Sequence, residues 1–241
     1  MYDLGIIGGL GPIASTEFYN NILYFTKEMS NLQDFQEQNH FNVVLLSIPQ
    51  TPNRSSNIFE HTPPPVYFIS KAINDLKELG VSRVAIPCNT AHRFINEIDF
   101  PVGMRFYNII NIISDYINEL ELDNILILGT SGLRNSNLYG TKFKNLNYYY
   151  PSSEDQIFID RIIYEVKKGI VKEEQANKVI EIYENIRNTC GLNQLNILFG
   201  CTELTVFANR DNYIKNRIID SNKIYAQSIV QDLLTMKSLD V

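Results

Sequence analysis

Two stretches of this chain follow one plan. In the first, an amphipathic segment ends at Gly80, an apolar run follows at residues 81–87, and Cys88-Asn89-Thr90 comes next. In the second, an amphipathic segment ends at Gly191, an apolar run follows at residues 195–199, and Gly200-Cys201-Thr202 comes next. A short apolar run between turn signals reads as a strand buried on both faces. A glycine after a helical pattern reads as a C-terminal cap. The repeated order therefore predicts two related halves, each with a cysteine just past the carboxyl end of a buried strand. Ligands of open α/β sheets sit at those ends. Two halves face to face would place the two cysteines on opposite walls of one cleft.

The remaining pattern agrees. Residues 2–8, 42–48 (NVVLLSI) and 125–128 read as further strands, and 13–29 as a helix. Val66, Ile69, Ile73 and Leu76 step by a helical period. A helix is expected over 173–188, and a last one over about 221–236 burying Ile224, Ile229, Val230, Leu233 and Leu234. The predicted class is α/β: two related halves, each a mainly parallel sheet flanked by helices. The repetition puts the boundary near Asn108. Residues 49–65, rich in Pro, Asn, Ser and Thr, read as a long loop of the kind that usually serves function.

With 241 residues the chain suits one large domain or two small ones. Its net charge is −6 and no Lys/Arg run stands out, so nucleic acid is not an expected partner. No apolar run approaches the ~20 residues of a membrane span. The opening MYDLGIIGG carries an acid and no basic region, unlike a signal peptide. Three cysteines and this start point to the reducing cytoplasm. The histidines His40, His61 and His92 lack metal-ligand spacing, and no metal is expected.

The stretch GIIGGLGPIA contains Gly9-x-Gly11-x-x-Ala14, which fits a dinucleotide fingerprint. Pro12 removes a backbone N–H that a pyrophosphate would use. The strand NVVLLSI ends in Pro49-Gln50 without the acid a ribose requires, and Asp34 falls in a polar connection. Gly8, Gly9 and Gly11 are instead expected to let the main chain crowd a small amino acid, bordered by Gly9 and Leu10. Pro12 suits the first turn of a helix.

A thiol at a strand end and helix start has its thiolate stabilised by the dipole and free N–H groups. Cys88 and Cys201 are thus candidate acid/base groups, whereas Cys190 ends a helix and reads as structural. Asn89, Thr90 and Thr202 can cap a helix or bind a carboxylate. Thr130 and Ser131, in Leu128-Gly129-Thr130-Ser131-Gly132, offer donors for a second anion. His92 and Glu203 are given supporting roles. Arg54 in the long loop could grip a carboxylate with its planar fork.

The blocks Gly8-Gly9-Leu10-Gly11-Pro12, Pro87-Cys88-Asn89-Thr90-Ala91-His92 and Gly200-Cys201-Thr202-Glu203 resemble the signatures of the cofactor-independent aspartate/glutamate racemases of the Asp/Glu/hydantoin racemase superfamily. The resemblance implies two pseudo-symmetric α/β domains with the active site in the cleft between them, 1–108 plus a returning 221–241, and 109–220. It implies that Cys88 and Cys201 are catalytic. It places Arg54 of Pro49-Gln50-Thr51-Pro52-Asn53-Arg54-Ser55, and Lys167 of Val166-Lys167-Lys168-Gly169, at the substrate's side-chain carboxylate, with Lys168 the alternative register. Thr130 and Ser131 fall on a second carboxylate-binding turn. The implied activity is racemisation of aspartate, or of glutamate, without a cofactor, in a homodimer. Maleate isomerase, hydantoin racemase and a non-catalytic dicarboxylate-binding protein are the alternatives.

Overall fold

The computed structural model describes residues 2–55, 63–208 and 214–239. The middle of the long loop, with His61, lies outside the described residues. The first half runs β1 (Leu4–Gly8), α1 (Pro12–Met29), β2 (Val43–Ser47), α2 (Pro65–Glu78), β3 (Arg83–Ala85), β4 (Arg105–Tyr107) and α3 (Ile109–Glu119). The second runs β5 (Asn124–Leu128), α4 (Ser131–Asn135), β6 (Asn147–Tyr149), α5 (Ser153–Lys167), α6 (Glu173–Thr189), β7 (Asn196–Phe199), β8 (Ile218–Asp220) and α7 (Ser221–Leu239).

All pairings are parallel, in the orders β2-β1-β3-β4 and β6-β5-β7-β8. The two sheets therefore share one topology. In each, the chain winds outward in both directions from the central pair, so a crevice opens at the carboxyl ends of β1/β3 and of β5/β7. The fold is α/β as the strand–helix alternation implies.

Central strands are the most deeply buried. All five residues of β1 are buried. NVVLLSI, however, is an edge strand. Val43, Val44 and Leu46 are only partly covered and Leu45 is 39% exposed, against the expectation of burial on both faces. The run at 81–87 pairs only over Arg83–Ala85, although Val81 and Ile86 stay buried. Strands β4, β6 and β8 have three residues each, too few to show a period.

The helix stops follow local chemistry. Gly80, Gly169 and Gly191 all have φ between +63° and +80°. Each closes the same double bond: Gly80 N–H to Lys77 O with Val81 N–H to Leu76 O, and likewise at 169 and 191. This is the Schellman arrangement, and it satisfies carbonyls a helix end would leave bare. Pro12 begins α1 as expected.

Helix α7 leaves the second sheet and packs on α1 and α3. Phe18 of α1 stacks on Tyr225 with ring centroids 5.1 Å apart, both rings fully buried. The Tyr225 hydroxyl donates to Tyr107 O and accepts from Ile86 N–H, tying α7 across β3 and β4. One apolar cluster thus spans Phe18, Ile113, Leu133, Leu198 and Val230 and is shared by both sheets.

Candidate active site

Cys88 follows β3 and Cys201 follows β7, at equivalent places in the two sheets. Each precedes a 3-10 run, Asn89–Glu97 and Thr202–Phe207. Ordinary α-helices were expected there. Neither cysteine side chain caps its run. Cys88 is half-buried and Cys201 is buried. The two are close enough for charge on Cys88 to act on Cys201.

The expectation of a thiol pKa lowered by the helix start does not hold for Cys201. Burial drives it well above the ordinary value, and the Glu203 carboxylate adds to the rise. The Lys167 charge opposes both. Cys201 Sγ donates to Glu203 Oε2 at 2.9 Å, and Glu203 Oε1 lies 3.8 Å from Lys167 Nζ. Lys168 instead lies over the Tyr164 ring, 4.1 Å from its centroid.

The glycine turn is tightly packed. Gly9 has φ +79°, and a Cβ there would lie 2.4 Å from Ile48 N. Its N–H donates to Ser15 Oγ, which donates to Gly11 O. A Cβ on Gly11 would lie 1.9 Å from Glu203 Oε1. Gly9 is crowded by the end of β2 and Gly11 by a carboxylate of the second half. Leu10 places its side chain in the core and offers its carbonyl to Arg54.

Arg54 is only 8% exposed. Nη1 donates to Thr51 O and Pro52 O, and Nη2 to Leu10 O. Nε–H has no partner among the described residues. The loop that carries Arg54 lies against α4. A Cβ on Gly132 would sit 2.7 Å from Ser55 Cα.

Several of the candidate polar side chains bridge the halves. Asn89 Nδ2 donates to Ser221 Oγ, and its Oδ1 accepts from the Tyr139 hydroxyl. Thr90 and Thr130 share a hydrogen bond of 2.8 Å. Thr202 Oγ1 donates to Pro87 O. Thr130 caps α4 by accepting from Leu133 N–H. The Ser131 N–H, expected to hold a substrate anion, donates to Asp160 Oδ1 at 2.8 Å. Sequence reasoning missed Asp160, Tyr139 and Ser221. Asp160 had a usable signal: it lies seven residues before Lys167, on the same face of α5.

A cavity of about 390 Å³ opens between the halves. Arg54 and Ser55 form one side, Thr130 and Ser131 a second, Asp160 and Lys167 a third. Neither cysteine lines it. Cys201 connects to it through Glu203 and Lys167, and the Cys88 loop through Thr90 and Thr130. A larger hollow of about 710 Å³, with Asp115, Glu121 and Lys144, lies by the amino end of β5, at the opposite edge of the sheet.

His92 is buried beneath this layer. Ile109 N–H donates to its Nε2, so the proton sits on Nδ1 and is donated to Cys88 O. It secures the Cys88 loop to α3. Burial pushes its pKa down from 6.5 to about 4. The unfolded chain takes up a proton near pH 6.5, whereas the folded ring resists until about pH 4. Stability is therefore expected to fall as pH drops through that window, by roughly 3 kcal/mol at the lower end. Urea midpoints at a series of pH values check this, and His92→Gln should flatten the dependence.

No described helix is long and apolar enough to cross a membrane. A family model described as Asp/Glu/hydantoin racemase matches residues 7–229. The broad specificity amino-acid racemase RacX of Bacillus subtilis is 23% identical over 240 residues, covering 98% of this chain and 100% of that protein. An aspartate racemase structure from Picrophilus torridus has a TM-score of 0.77 at 27% identity, covering 95% of this chain and 93% of that one. A glutamate racemase from Francisella tularensis, solved with D-glutamate, shares the fold with a TM-score of 0.63 at 17% identity. That alignment covers 98% of this chain and 82% of the other.

Proposed function

The chain belongs to the Asp/Glu/hydantoin racemase family, and from that premise we propose that it racemises an acidic amino acid, aspartate first and glutamate second, with Cys88 and Cys201 as paired acid/base groups. The observation that carries this reading is the equivalent placement of two cysteines at the ends of β3 and β7, within electrostatic reach of each other. One thiolate takes the α-proton from one face of Cα. The other thiol gives its proton to the opposite face, and the substrate need not turn over. Two thiolates close together repel, so the mixed thiol/thiolate state is favoured. Donors around the α-carboxylate would stabilise the carbanion. The scheme requires no cofactor.

Arg54 supports the acidic substrate. Three carbonyls hold its Nη1 and Nη2 end, which orients the guanidinium, and the residue lines the cavity. A guanidinium fixed there suits a carboxylate. Arg54→Lys keeps the charge and loses the fork, so KM for aspartate is expected to rise about tenfold or more. Steady-state kinetics measure it. The same reading includes the domain division given above, a homodimer and a cytoplasmic setting.

The test is incubation in D₂O with Asp, Glu, Asn and Ala. Deuterium at Cα together with the opposite enantiomer supports racemisation. Equal rates for Asn or Ala and Asp would end the acidic reading, and no exchange with any of them would end the whole proposal.

A further inference from the structure

Glu203 is a buried carboxylate set against one of the two candidate cysteines. It is 3% exposed, and its carboxylate lies against the Cys201 thiol and faces Lys167. Its carboxylate is held from three sides. Oε2 accepts from Cys201 Sγ at 2.9 Å, Oε1 faces Lys167 Nζ at 3.8 Å, and Oε1 rests on Gly11, where any side chain would collide with it. An anion fixed in this way cannot easily turn from the sulfur. It accepts a hydrogen bond from the thiol and repels the thiolate.

The geometry points to Glu203 as a positioning residue that keeps Cys201 in its thiol form, which makes Cys201 the proton donor of the resting pair. The inference rests on the two-cysteine reading and adds a direction to it. In the favoured direction, Cys88 thiolate takes the α-proton and becomes a thiol, while Cys201 gives its proton to Cα and becomes a thiolate. One proton enters the enzyme and one leaves. The product state then holds a thiolate against the Glu203 carboxylate. It returns to rest when Cys201 regains a proton and Cys88 loses one, through the reverse turnover or through solvent. The groups acting on Cys201 are Glu203 on its own run, Lys167 from α5 and Cys88 from the first half, and Cys201 acts in turn on Tyr139. Lys167 is the sole cation among them and works against Glu203.

The two charged neighbours therefore make opposite predictions. In a Cys88→Ser, Cys190→Ser background, Cys201 is the only thiol, and its titration is followed by thiolate ultraviolet absorbance without substrate. Glu203→Gln preserves shape and is expected to lower the midpoint by about one unit or more, a roughly tenfold larger thiolate fraction at a fixed pH below it. Lys167→Met, a change at a partly exposed side chain, is expected to raise the midpoint. In the protein with all its cysteines, Glu203→Gln should move the alkaline limb of kcat/KM to lower pH, since that limb reports loss of the Cys201 proton. A purely structural Glu203 would not give opposite shifts. An unmoved midpoint in Glu203→Gln, or a fall with Lys167→Met, overturns the inference. The titration involves no turnover, so it stands apart from the test of the two-cysteine reading, which fails instead if Cys201→Ala still racemises.

Discussion

Replacing Cys88 or Cys201 by Ala is expected to lower racemisation by about three orders of magnitude or more in both directions, with the double variant little worse than either single one. Inversion requires removal of a proton on one face and delivery on the other, so either loss breaks the same sequence. The two variants should still differ. Cys201→Ala retains Cys88, which can exchange the α-proton of one enantiomer with solvent but cannot invert it. Cys88→Ala can do the same only for the other enantiomer. Chiral separation after incubation in D₂O distinguishes retention with exchange from inversion. If either single variant interconverts the enantiomers at the parent rate, the paired-thiol scheme is wrong. Cys190, exposed at the end of α6, is the control position.

Gly9→Ala is expected to cost about 3 kcal/mol or more, and Gly80→Ala only about 1 kcal/mol. Both glycines have almost the same positive φ, +79° and +78°. They differ in what surrounds them. A Cβ at Gly80 meets nothing within 4 Å, whereas at Gly9 it meets the backbone nitrogens of Ile48 and Pro49 and the Ser47 hydroxyl. Backbone cannot move aside as a side-chain tip can, so β2 would have to separate from β1. Urea unfolding of the two variants measures the difference. Equal losses would mean that the positive φ accounts for the whole effect. A glycine kept for the substrate would instead show a raised KM in a protein of ordinary stability.

The legible parts of this fold are those set by neighbours in sequence. The Gly80 and Gly191 stops follow from the need of a helix end for a left-handed residue, and Pro12 from its tolerance in a first turn. β1 and β5 are apolar at nearly every position because helices cover both their faces. The same logic misjudged NVVLLSI, since nothing in an apolar run reveals whether it lies in the middle or at the edge of a sheet. The cysteine positions were legible through the repeated strand ends. The partners of the polar residues around them were not.

Those partners come from far along the chain. Asn89 bonds to Ser221 across 132 positions, Thr202 to Pro87 across 115, and Arg54 to Leu10 across 44. Periodicity and turn chemistry act over a few residues, so the order of the chain is enough to place strands, helix stops and the two cysteines. The occupant of a given N–H, or the neighbour of a buried thiol, depends on how two sheets and α7 close on one another. Tertiary packing alone therefore set Gly9 against the end of β2 and put Asp160 on the Ser131 N–H. It also set Glu203 against Cys201, because a buried charge takes its partner from whatever the fold brings within a few ångströms.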